Sequence, residues 1–322
     1  MEPTTPRLLI LLRALGGAVL LLAVMLLPLT LSVRETPQAA AVAEATPAPV
    51  SVLFAGDMFL DRNIRAAAMR ESEDFLFACL GDVLHTPDLT VVNLEGPITE
   101  HASVSLGSKV GSPENFQFTF PTSTAPLLKR QGIDIVNLGN NHILNFGAAG
   151  VRSTLTYLQK NGLQYFGDPS VQTVAYKDLR GVSLAFINYN EFAPASQKER
   201  VALVLQQVAD ARLQGRLPIV YTHWGDEYKT IAPLRLQTLA RQFVDAGAEL
   251  VVGSHPHVVE QSEVYKGKYI YYSLGNFMFD QYFSADVRRG LLIEVLFAQT
   301  GVLLVREIPT LLERNGQTCL KK

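Results

Sequence analysis

The sequence predicts an α/β domain that follows an apolar N-terminal segment. Short runs of β-branched residues alternate with longer stretches in which apolar residues recur at helical spacing, a pattern typical of layered α/β proteins. The last third of the chain changes to strand-like pieces separated by hairpin signals. With 322 residues, 48% hydrophobic, 18% charged and a net charge of −2, the chain is neither a disordered protein nor a basic polyanion-binding domain.

The N-terminal segment is long enough to cross a membrane. Residues 14–33 contain no acidic or basic side chain, and as a helix they would extend about 30 Å, the thickness of a bilayer core. Arg7 and Arg13 precede the segment, so the positive-inside rule places the N-terminus in the cytoplasm and the rest of the chain outside. The alternative is a secretory signal cleaved near Ala41 or Ala43. The uncleaved anchor is favoured because the apolar region of a signal usually has ~7–15 residues.

These features divide the chain into three parts. Residues 1–33 are the predicted anchor or signal, residues 34–49 are an Ala- and Pro-rich linker, and residues 50–322 are one domain large enough to bury a sizeable core. The only cysteines in the sequence, Cys79 and Cys319, are too few for a disulfide framework, although an extracytoplasmic compartment would permit disulfides. Neither cysteine is expected to be a nucleophile or a metal ligand.

The alternation predicts the elements of the domain in order. Strands are predicted in its first part at residues 51–55, 89–92, 133–138, 182–187, 218–222 and 250–252. Helices are predicted at residues 123–131, 149–161, 198–214 and 231–246. Further strands are predicted at residues 258–265, 269–274, 291–297 and 302–308. In an open α/β sheet, ligands gather at the carboxyl ends of the strands.

Side chains that can bind a metal or transfer a proton stand at those carboxyl ends. Five predicted strands end in a carboxylate, an amide or an imidazole, at Asp57, Asn93 with Glu95, Asn141 with His142, His223, and His255 with His257. Four of the six histidines in the sequence occupy these positions. His85 and His101 lie outside the pattern and are expected at the surface.

Each of these residues has an ordinary structural explanation when it is taken alone. Asp57 is suited to cap a helix, Glu95 to a solvated loop, and His223 to the core. Their joint occurrence at strand ends instead favours a metal site. Carboxylate, amide and imidazole ligands without a thiolate suit one or two divalent ions, with Mn, Fe or Zn expected. Such ions clamp an oxyanion and activate water, so phosphoester hydrolysis is the predicted reaction.

Six sequence blocks carry a resemblance to a known family. They occur in order between about Val50 and Gly290 and read FAGDMFLDR, VVNLEGPIT, NLGNNHILNFG, THWGDEY, GSHPHVVE and YSLGNFMFDQ. The chain therefore resembles the capsule-synthesis CapA proteins, also called PgsA-type poly-γ-glutamate synthesis proteins, of the calcineurin-like metallophosphoesterase superfamily. The resemblance implies a four-layer α/β/β/α sandwich of the metallo-dependent phosphatase type, with two mixed sheets. It also implies a role in making or exporting an anionic surface polymer.

The resemblance further implies a role for individual residues. The implied metal ligands are Asp57, Glu95, Asn141, His223, His255 and His257. Glu95 would bridge two ions, while His257 would bind the first ion and His255 the second. His142 would be the catalytic residue that donates a proton to the leaving oxygen. The residues expected at the edge of the site are Asn93 and Asn276.

Two positions depart from the family pattern. Phe59 stands where the wider superfamily has a histidine two residues after the first aspartate. The first ion then lacks a ligand, and it would bind weakly, use water or a carboxylate such as Asp61, or be absent. Asn145 stands where the family more often has an acid, three residues after His142. If that acid orients His142 through a hydrogen bond, the amide of Asn145 is expected to hold His142 less firmly.

Two functions are open at this point. One is a membrane-anchored hydrolase that cuts a phosphoester or a polymer bond, with His142 as the general acid. The alternative is a non-catalytic, metal-containing scaffold that binds the growing anionic polymer for a membrane polymer synthase. A serine hydrolase is disfavoured because the sequence has no GxSxG motif, and a glycosidase using Asp57 and Glu95 would leave the histidines unexplained. The sequence has no basic stripe of the kind that binds nucleic acid, so nucleic acid is not expected as a partner.

Overall fold

Two β-sheets face each other in the computed structural model of the protein, which describes residues 48–170 and 174–321. The strands of the first sheet are β1 (Val50–Met58), β2 (Leu89–Leu94), β3 (Ile135–Asn137), β4 (Gln164–Phe166), β11 (Asn276–Met278), β12 (Arg289–Ala298), β13 (Gly301–Leu312) and β14 (Thr318–Leu320). The strands of the second sheet are β5 (Val174–Leu179), β6 (Val182–Asn190), β7 (Leu217–His223), β8 (Leu250–Ser254), β9 (Ser262–Tyr265) and β10 (Lys268–Tyr271).

Parallel strands form the centre of each sheet. The first sheet has the order β14-β13-β12-β1-β2-β3-β4, β11 also pairs with β1, and β1 to β4 are parallel. The second has the order β5-β6-β7-β8-β10-β9, in which β6, β7, β8 and β10 are parallel. Antiparallel strands extend both sheets at their edges. Because the central strands are covered on both faces, they have nearly continuous apolar sequences, as in β8.

Helices cover the outer face of each sheet. On the first sheet these are α1 (Arg62–Arg70), α2 (Thr124–Arg130), α3 (Gly147–Lys160) and a 3-10 helix at Asp74–Leu84. On the second they are α4 (Gln197–Leu213) and α5 (Leu234–Asp245). A short 3-10 helix spans Pro113–Phe116. A third core lies between the sheets and includes Phe54, Phe186 and Tyr221. The layers therefore run helix, sheet, sheet, helix.

The structure confirms the mixed α/β class with two sheets, and each predicted strand or helix overlaps an observed one. The elements that sequence patterns missed are α1, β4, β5, β11, β14 and the two 3-10 helices. Three of these strands have three residues each, which is too few to show a period of two.

The predicted anchor, residues 1–33, lies outside the described residues, as does the predicted linker as far as residue 47. Within residues 48–170 and 174–321, no helix is both long and apolar enough to cross a membrane. The membrane-spanning role of the N-terminal segment therefore stays a prediction.

The two cysteines make a bond that the sequence does not predict. Cys79 and Cys319 form a disulfide bond, and their Cα atoms lie 4.5 Å apart. The bond ties β14 to the 3-10 helix at Asp74–Leu84 across a sequence separation of 240 residues. Two cysteines so far apart in the sequence give no sign that the fold brings them together, because pairing depends on tertiary contacts.

Candidate metal centre

Three buried side chains converge where β1, β2 and the turn after β8 meet. Asp57 lies in β1, Glu95 directly follows β2, and His257 lies three residues after β8. One ligand atom from each lies within 4.8 Å of the other two. His257 Nε2 is 3.6 Å from Glu95 Oε1, and His257 Nδ1 is 3.4 Å from Asp57 Oδ2. Two carboxylates and an imidazole at these separations suit a divalent ion.

Glu95 is the least satisfied of the three side chains. It is fully buried, and neither of its carboxylate oxygens has a hydrogen-bond partner among residues 48–170 and 174–321. Burial and the nearby charge of Asp57 raise the pKa of Glu95 well above its ordinary value. Burial also raises the pKa of Asp57 to about 6. Two buried carboxylates repel each other, and a divalent ion would stabilise both in the ionised form, so the residues present fit such an ion.

Asn276 determines which nitrogen of His257 is free. The Asn276 amide nitrogen donates to the carbonyls of His257 (3.2 Å) and Val287 (3.0 Å). Its Oδ1 is therefore an acceptor, and it faces His257 Nδ1 at 2.9 Å. His257 then carries its proton on Nδ1, and the lone pair on Nε2 is free on the side of Glu95. Asn276, predicted only at the site edge, orients a candidate ligand.

A second group of candidate ligand side chains adjoins the first group. His223 ends β7, His255 follows β8, and Asn141 lies in the turn after β3. His223 Nε2 is 3.0 Å from Asn141 Oδ1 and 3.2 Å from His255 Nδ1. The Ser254 hydroxyl donates to the Thr222 carbonyl (2.8 Å), and its oxygen lies 3.0 Å from His223 Nδ1, which also lies 3.3 Å from the amide nitrogen of Asn93. His223 Nε2 faces an amide oxygen and a second imidazole, and the three side chains together offer three potential ligand atoms for a cation.

A chain of asparagines holds Asp57 in place. Asn93 donates to Asp57 Oδ1 at 2.8 Å, and Asn137 donates to Asn93 Oδ1 at 3.0 Å. Asn188, in β6 of the second sheet, donates to Asn137 Oδ1 at 2.9 Å. The same Asp57 oxygen lies 3.8 Å from His223 Nδ1, which links the two groups. These amides fix the carboxylate of Asp57 between the sheets.

The backbone around the two groups is strained and closely packed. His255 and His257 have φ angles of 97° and 58°, in a region that residues other than glycine rarely adopt. This geometry lets the backbone N–H of His255 donate to Asp57 Oδ2 at 3.0 Å. At Gly56 an added Cβ would lie 1.9 Å from the carbonyl oxygen of Gly275. Only glycine therefore lets β1 bring Asp57 to this position.

His142 lies next to Asn141 and is held by Asn145. Asn145 Oδ1 accepts a hydrogen bond from the Phe118 backbone N–H at 2.8 Å and faces His142 Nδ1 at 3.1 Å. Because that oxygen is an acceptor, His142 carries its proton on Nδ1 and has its lone pair on Nε2. Burial lowers the pKa of His142 to about 4, so the imidazole is neutral at pH 7. Asn145 thus orients His142 without the acid that is more common at this position.

The two other positions singled out by sequence have structural roles. Phe59 is buried, stacks on Phe279 at a centroid distance of 4.4 Å, and meets Phe118 edge-on at 4.7 Å. Asp61 caps α1, pairs with Arg65 at 3.0 Å and accepts two further hydrogen bonds through Oδ2. The suggestion that Asp61 replaces the absent histidine as a ligand is therefore wrong, because its oxygens are already bonded.

The structure thus brings the six predicted ligands together in two adjoining groups, with His142 beside one of them. His85 and His101 are exposed, as expected. Sequence reasoning missed the residues that orient the ligands through hydrogen bonds, namely Asn137, Asn188 and Ser254. The available signal for all three was a polar residue at or near the carboxyl end of an apolar strand, the same signal that marked Asp57.

A family model described as "Bacterial capsule synthesis protein PGA_cap" matches residues 51–281. The match covers most of the chain and includes Asp57 near its start and Asn276 near its end. The chain belongs to this family. The resemblance carried by the six sequence blocks is therefore confirmed.

Two Bacillus proteins are similar to this family member. The capsule biosynthesis protein CapA of Bacillus anthracis is 27% identical over 307 residues, covering 90% of this chain and 74% of that protein. The PGA biosynthesis protein CapA of Bacillus subtilis (strain 168) is 28% identical over 247 residues, covering 72% of this chain and 64% of that protein. The chain therefore spans less than two thirds of the B. subtilis protein.

Among solved structures, the protein TT1561 of Thermus thermophilus aligns with 78% of this chain and 99% of its own, at 10% sequence identity and a TM-score of 0.41. A likeness at that level does not decide the fold, which rests on the sheets and helices described above.

Proposed function

We propose that this protein is a metal-dependent hydrolase that acts on an anionic capsule polymer, of the poly-γ-glutamate type, during its synthesis or export. Family membership and the names of the two Bacillus relatives support the polymer. The observation that carries the hydrolase proposal is the buried Glu95 carboxylate, which faces Asp57 and His257 and has no hydrogen-bond partner within the described part of the chain. The bond cut would be a phosphoester or a bond of the polymer.

The proposed ligands form two sets that share Glu95. The first set is Asp57, Glu95 and His257, and the second is Glu95, Asn141, His223 and His255. Burial lowers the pKa of His223 and His257 well below the ordinary value and that of His255 to about 3. All three imidazoles are therefore neutral at pH 7, the form that binds metals. Mn, Fe or Zn held there would supply Lewis-acid activation of water and of the scissile group.

His142 would transfer a proton from the attacking water to the leaving group. Its Nδ1 proton is engaged by Asn145, and its Nε2 is unprotonated at pH 7 because burial keeps the pKa near 4. His142 Nε2 must therefore first accept a proton from the attacking water before it can act as a proton donor. His142 then passes that proton to the leaving group, which departs neutral.

Phe59 favours a second candidate function. A buried aromatic cluster fills the position where the wider superfamily has a histidine, so the first ligand set has three side chains. A weakly held or single ion would suit a scaffold that binds the growing polymer for a membrane synthase. Metal-loaded protein that binds poly-γ-glutamate without cutting it would support this alternative.

We further propose that the domain is extracytoplasmic, held at the cytoplasmic membrane by residues 1–33. The charge distribution around residues 14–33 supports this orientation. The disulfide between Cys79 and Cys319 also supports it, because such bonds persist mainly in oxidising compartments. In that location, a membrane polymer synthase would be a partner.

The test compares His142→Ala with the wild type and with a matched control, His85→Ala, whose side chain is exposed. Metal content is measured by mass spectrometry, and turnover is measured on a phosphodiester and on poly-γ-glutamate. We expect His142→Ala to retain its metal and to lose about 100-fold or more of the turnover, while the control is unchanged. Wild-type turnover in His142→Ala would remove its catalytic role. Metal-loaded wild type that cuts neither probe would contradict the hydrolase proposal.

A further inference from the structure

A cleft with a volume of about 340 Å³ adjoins the metal centre on the side of the first ligand set. Its walls come from the start of α1, from residues 105–116, and from the loops that follow β7 and β11. Tyr228 lines the cleft and also stacks on the candidate ligand His257, with ring centroids 6.2 Å apart and 27° between the planes. A ligand that contacts Tyr228 in the cleft would therefore lie one side chain away from the metal centre.

Three aromatic rings of the cleft lining are accessible. Phe283 is 67% exposed, Phe116 is 52% exposed and Tyr228 is 42% exposed. Phe283 meets Tyr228 edge-on, with centroids 5.0 Å apart and planes at 86°, so these two rings form a corner. Burying an apolar side chain of this size is worth about 1.5–3 kcal/mol. Rings that stay exposed beside one another in a cleft therefore indicate a ligand that covers them.

Hydrogen bonds hold this corner in place. The Tyr228 backbone N–H donates to the Pro256 carbonyl at 2.8 Å. Gln281 Nε2 donates to the Tyr228 hydroxyl at 3.2 Å, and Gln281 Oε1 accepts from Asn276 Nδ2 at 3.1 Å. The same Asn276 side chain orients His257. The ring of Tyr228 is therefore positioned before a ligand arrives, which lowers the entropy lost on binding.

The charges of the cleft lining are balanced. Its charged residues are Arg62 and Asp280, which pair at 2.5 Å. Arg62 also donates to the Asn115 carbonyl at 3.2 Å, and 14% of its side chain is exposed. Outside the lining, the exposed acid Glu227 forms a hydrogen bond with the Tyr228 hydroxyl. The described residues that line the cleft therefore include no unpaired cation.

The groups that remain restrict the ligand. The side-chain amide of Asn63 is exposed in the lining and makes no hydrogen bond within the described part of the chain. A polyanion such as poly-γ-glutamate needs unpaired cations, and a purely apolar chain would cover this amide without bonding to it. A pyranose ring fits both features, because its C–H face packs on an aromatic ring while the hydroxyls at its edge bond to amides.

We propose that this cleft binds a neutral sugar ring of a glycan chain, with a C–H face of the sugar on Tyr228 and Phe283 and a hydroxyl on Asn63. Poly-γ-glutamate has no sugar ring, so the glycan would be a second polymer that this protein handles, beyond the one in the proposed function. A glycan held in the cleft would lie beside the first ligand set. The protein would then bring a sugar chain and the metal centre together.

Calorimetry and saturation-transfer difference NMR test the class of ligand. The neutral probes are maltotetraose, cellotetraose and tetra-N-acetylchitotetraose, and the charged probe is tetra-γ-glutamate. We expect at least one neutral tetrasaccharide to bind with a dissociation constant of about 1 mM or tighter, and at least about 10-fold more tightly than tetra-γ-glutamate. In the NMR experiment, saturation of the aromatic protons of the protein should reach the C–H protons of the bound sugar.

Two variants at exposed positions test the contacts. Phe283→Ala removes one ring of the corner and should weaken sugar binding at least about 10-fold. Asn63→Ala removes the amide and should weaken it about 5-fold. The matched control is Tyr176→Ala, which removes an exposed aromatic ring from β5 of the second sheet and should leave sugar binding unchanged.

The proposal would be overturned if none of the three tetrasaccharides binds at about 10 mM, or if tetra-γ-glutamate binds more tightly than each of them. Wild-type affinity in folded Phe283→Ala would also overturn it. Each titration is run both with chelator and with Mn²⁺. A failure of the sugar site then leaves the metal and turnover results unaffected, and metal-loaded protein that binds sugar without hydrolysing any probe contradicts only the hydrolase proposal.

Discussion

Replacing Glu95 by glutamine should change the stability of the domain in opposite directions with and without metal. The substitution removes one negative charge and keeps the size of the side chain. It breaks no hydrogen bond within the described residues, since both carboxylate oxygens are unpartnered there. Its effect on the metal-free protein therefore reports the cost of burying the charge.

The magnitude follows from the burial of the carboxylates. Glutamine leaves a buried amide where glutamate left a buried carboxylate, so the substitution removes only the cost of the charge. The neighbouring Asp57 gives the size of that cost, because a pKa raised from 3.8 to about 6 corresponds to about 3 kcal/mol. The amide itself stays without a hydrogen-bond partner, so without metal we expect Glu95→Gln to stabilise the protein by about 1–3 kcal/mol at pH 8.

The sign of the pH dependence follows from the direction of the pKa shift. The pKa of Glu95 is raised in the folded state by burial and by Asp57, so the folded protein holds this proton more tightly than the unfolded chain does. The unfavourable contribution is absent below the ordinary pKa of 4.5 and grows as pH rises above it. The advantage of Glu95→Gln over the wild type should therefore be smaller at pH 5 than at pH 8.

Metal should reverse the order. A ligand present at 1,000 times its dissociation constant stabilises the folded wild type by about 4.1 kcal/mol, which exceeds the advantage of about 1–3 kcal/mol that Glu95→Gln has without metal. Glu95→Gln should lose most of this gain because it lacks the shared ligand. Since 1 kcal/mol shifts Tm by roughly 2–4 °C in a domain of this size class, both effects are measurable.

The assay is thermal unfolding of both proteins at pH 5 and pH 8, with chelator or with Mn²⁺. The matched control is Glu249→Gln, a buried glutamate that pairs with Arg212 at 2.5 Å and Lys268 at 2.7 Å. It should destabilise the protein under every condition. A Glu95→Gln variant that is less stable than the wild type in chelator at pH 8 would contradict a cost of burying the charge, and an equal rise of both Tm values with Mn²⁺ would contradict a role of Glu95 as a ligand.

Three further predictions concern neighbouring features. Asn145→Asp should raise the pKa of His142 from about 4, because a carboxylate beside Nδ1 stabilises the imidazolium. The acidic limb of the pH–rate profile should then move to higher pH, and an unchanged profile would argue against this contact. Reduction of the Cys79–Cys319 disulfide, or Cys319→Ser, should lower Tm, since a loop of 240 residues corresponds to a chain-entropy contribution of at most about 5.5 kcal/mol. Equal Tm values with and without reductant would be inconsistent with the bond. Gly56→Ala should lower the metal content, because the Cβ of alanine would lie 1.9 Å from the Gly275 carbonyl oxygen and displace Asp57. Full metal content in the folded variant would contradict this prediction.

The sequence allowed the prediction of those parts of the site that local patterns mark. Asp57 and His223 stand out because a polar residue ends an apolar run, and the ends of parallel strands meet at one edge. The orientation of the ligands could not be predicted, because it depends on contacts between distant residues. Asn276 orients His257 from 19 residues away, and Asn188 reaches Asn137 across 51 residues.

The errors have the same physical origin. Asp61 was a candidate ligand because it is an acid near Asp57, but it follows β1 at the start of a helix, where its carboxylate caps α1. The disulfide was missed because the partners lie at opposite ends of the domain sequence. Phe59 was recognised as a departure, but the aromatic stack with Phe279 that replaces the histidine is a tertiary contact.

The most direct test of the metal centre is anomalous diffraction from crystals of the protein grown with Mn²⁺. We predict an anomalous peak bonded to Asp57, Glu95 and His257, with any second peak beside His223. Crystals that show no peak at these residues, and a Glu95 carboxylate that is hydrogen-bonded to water or to other protein groups, would contradict the account.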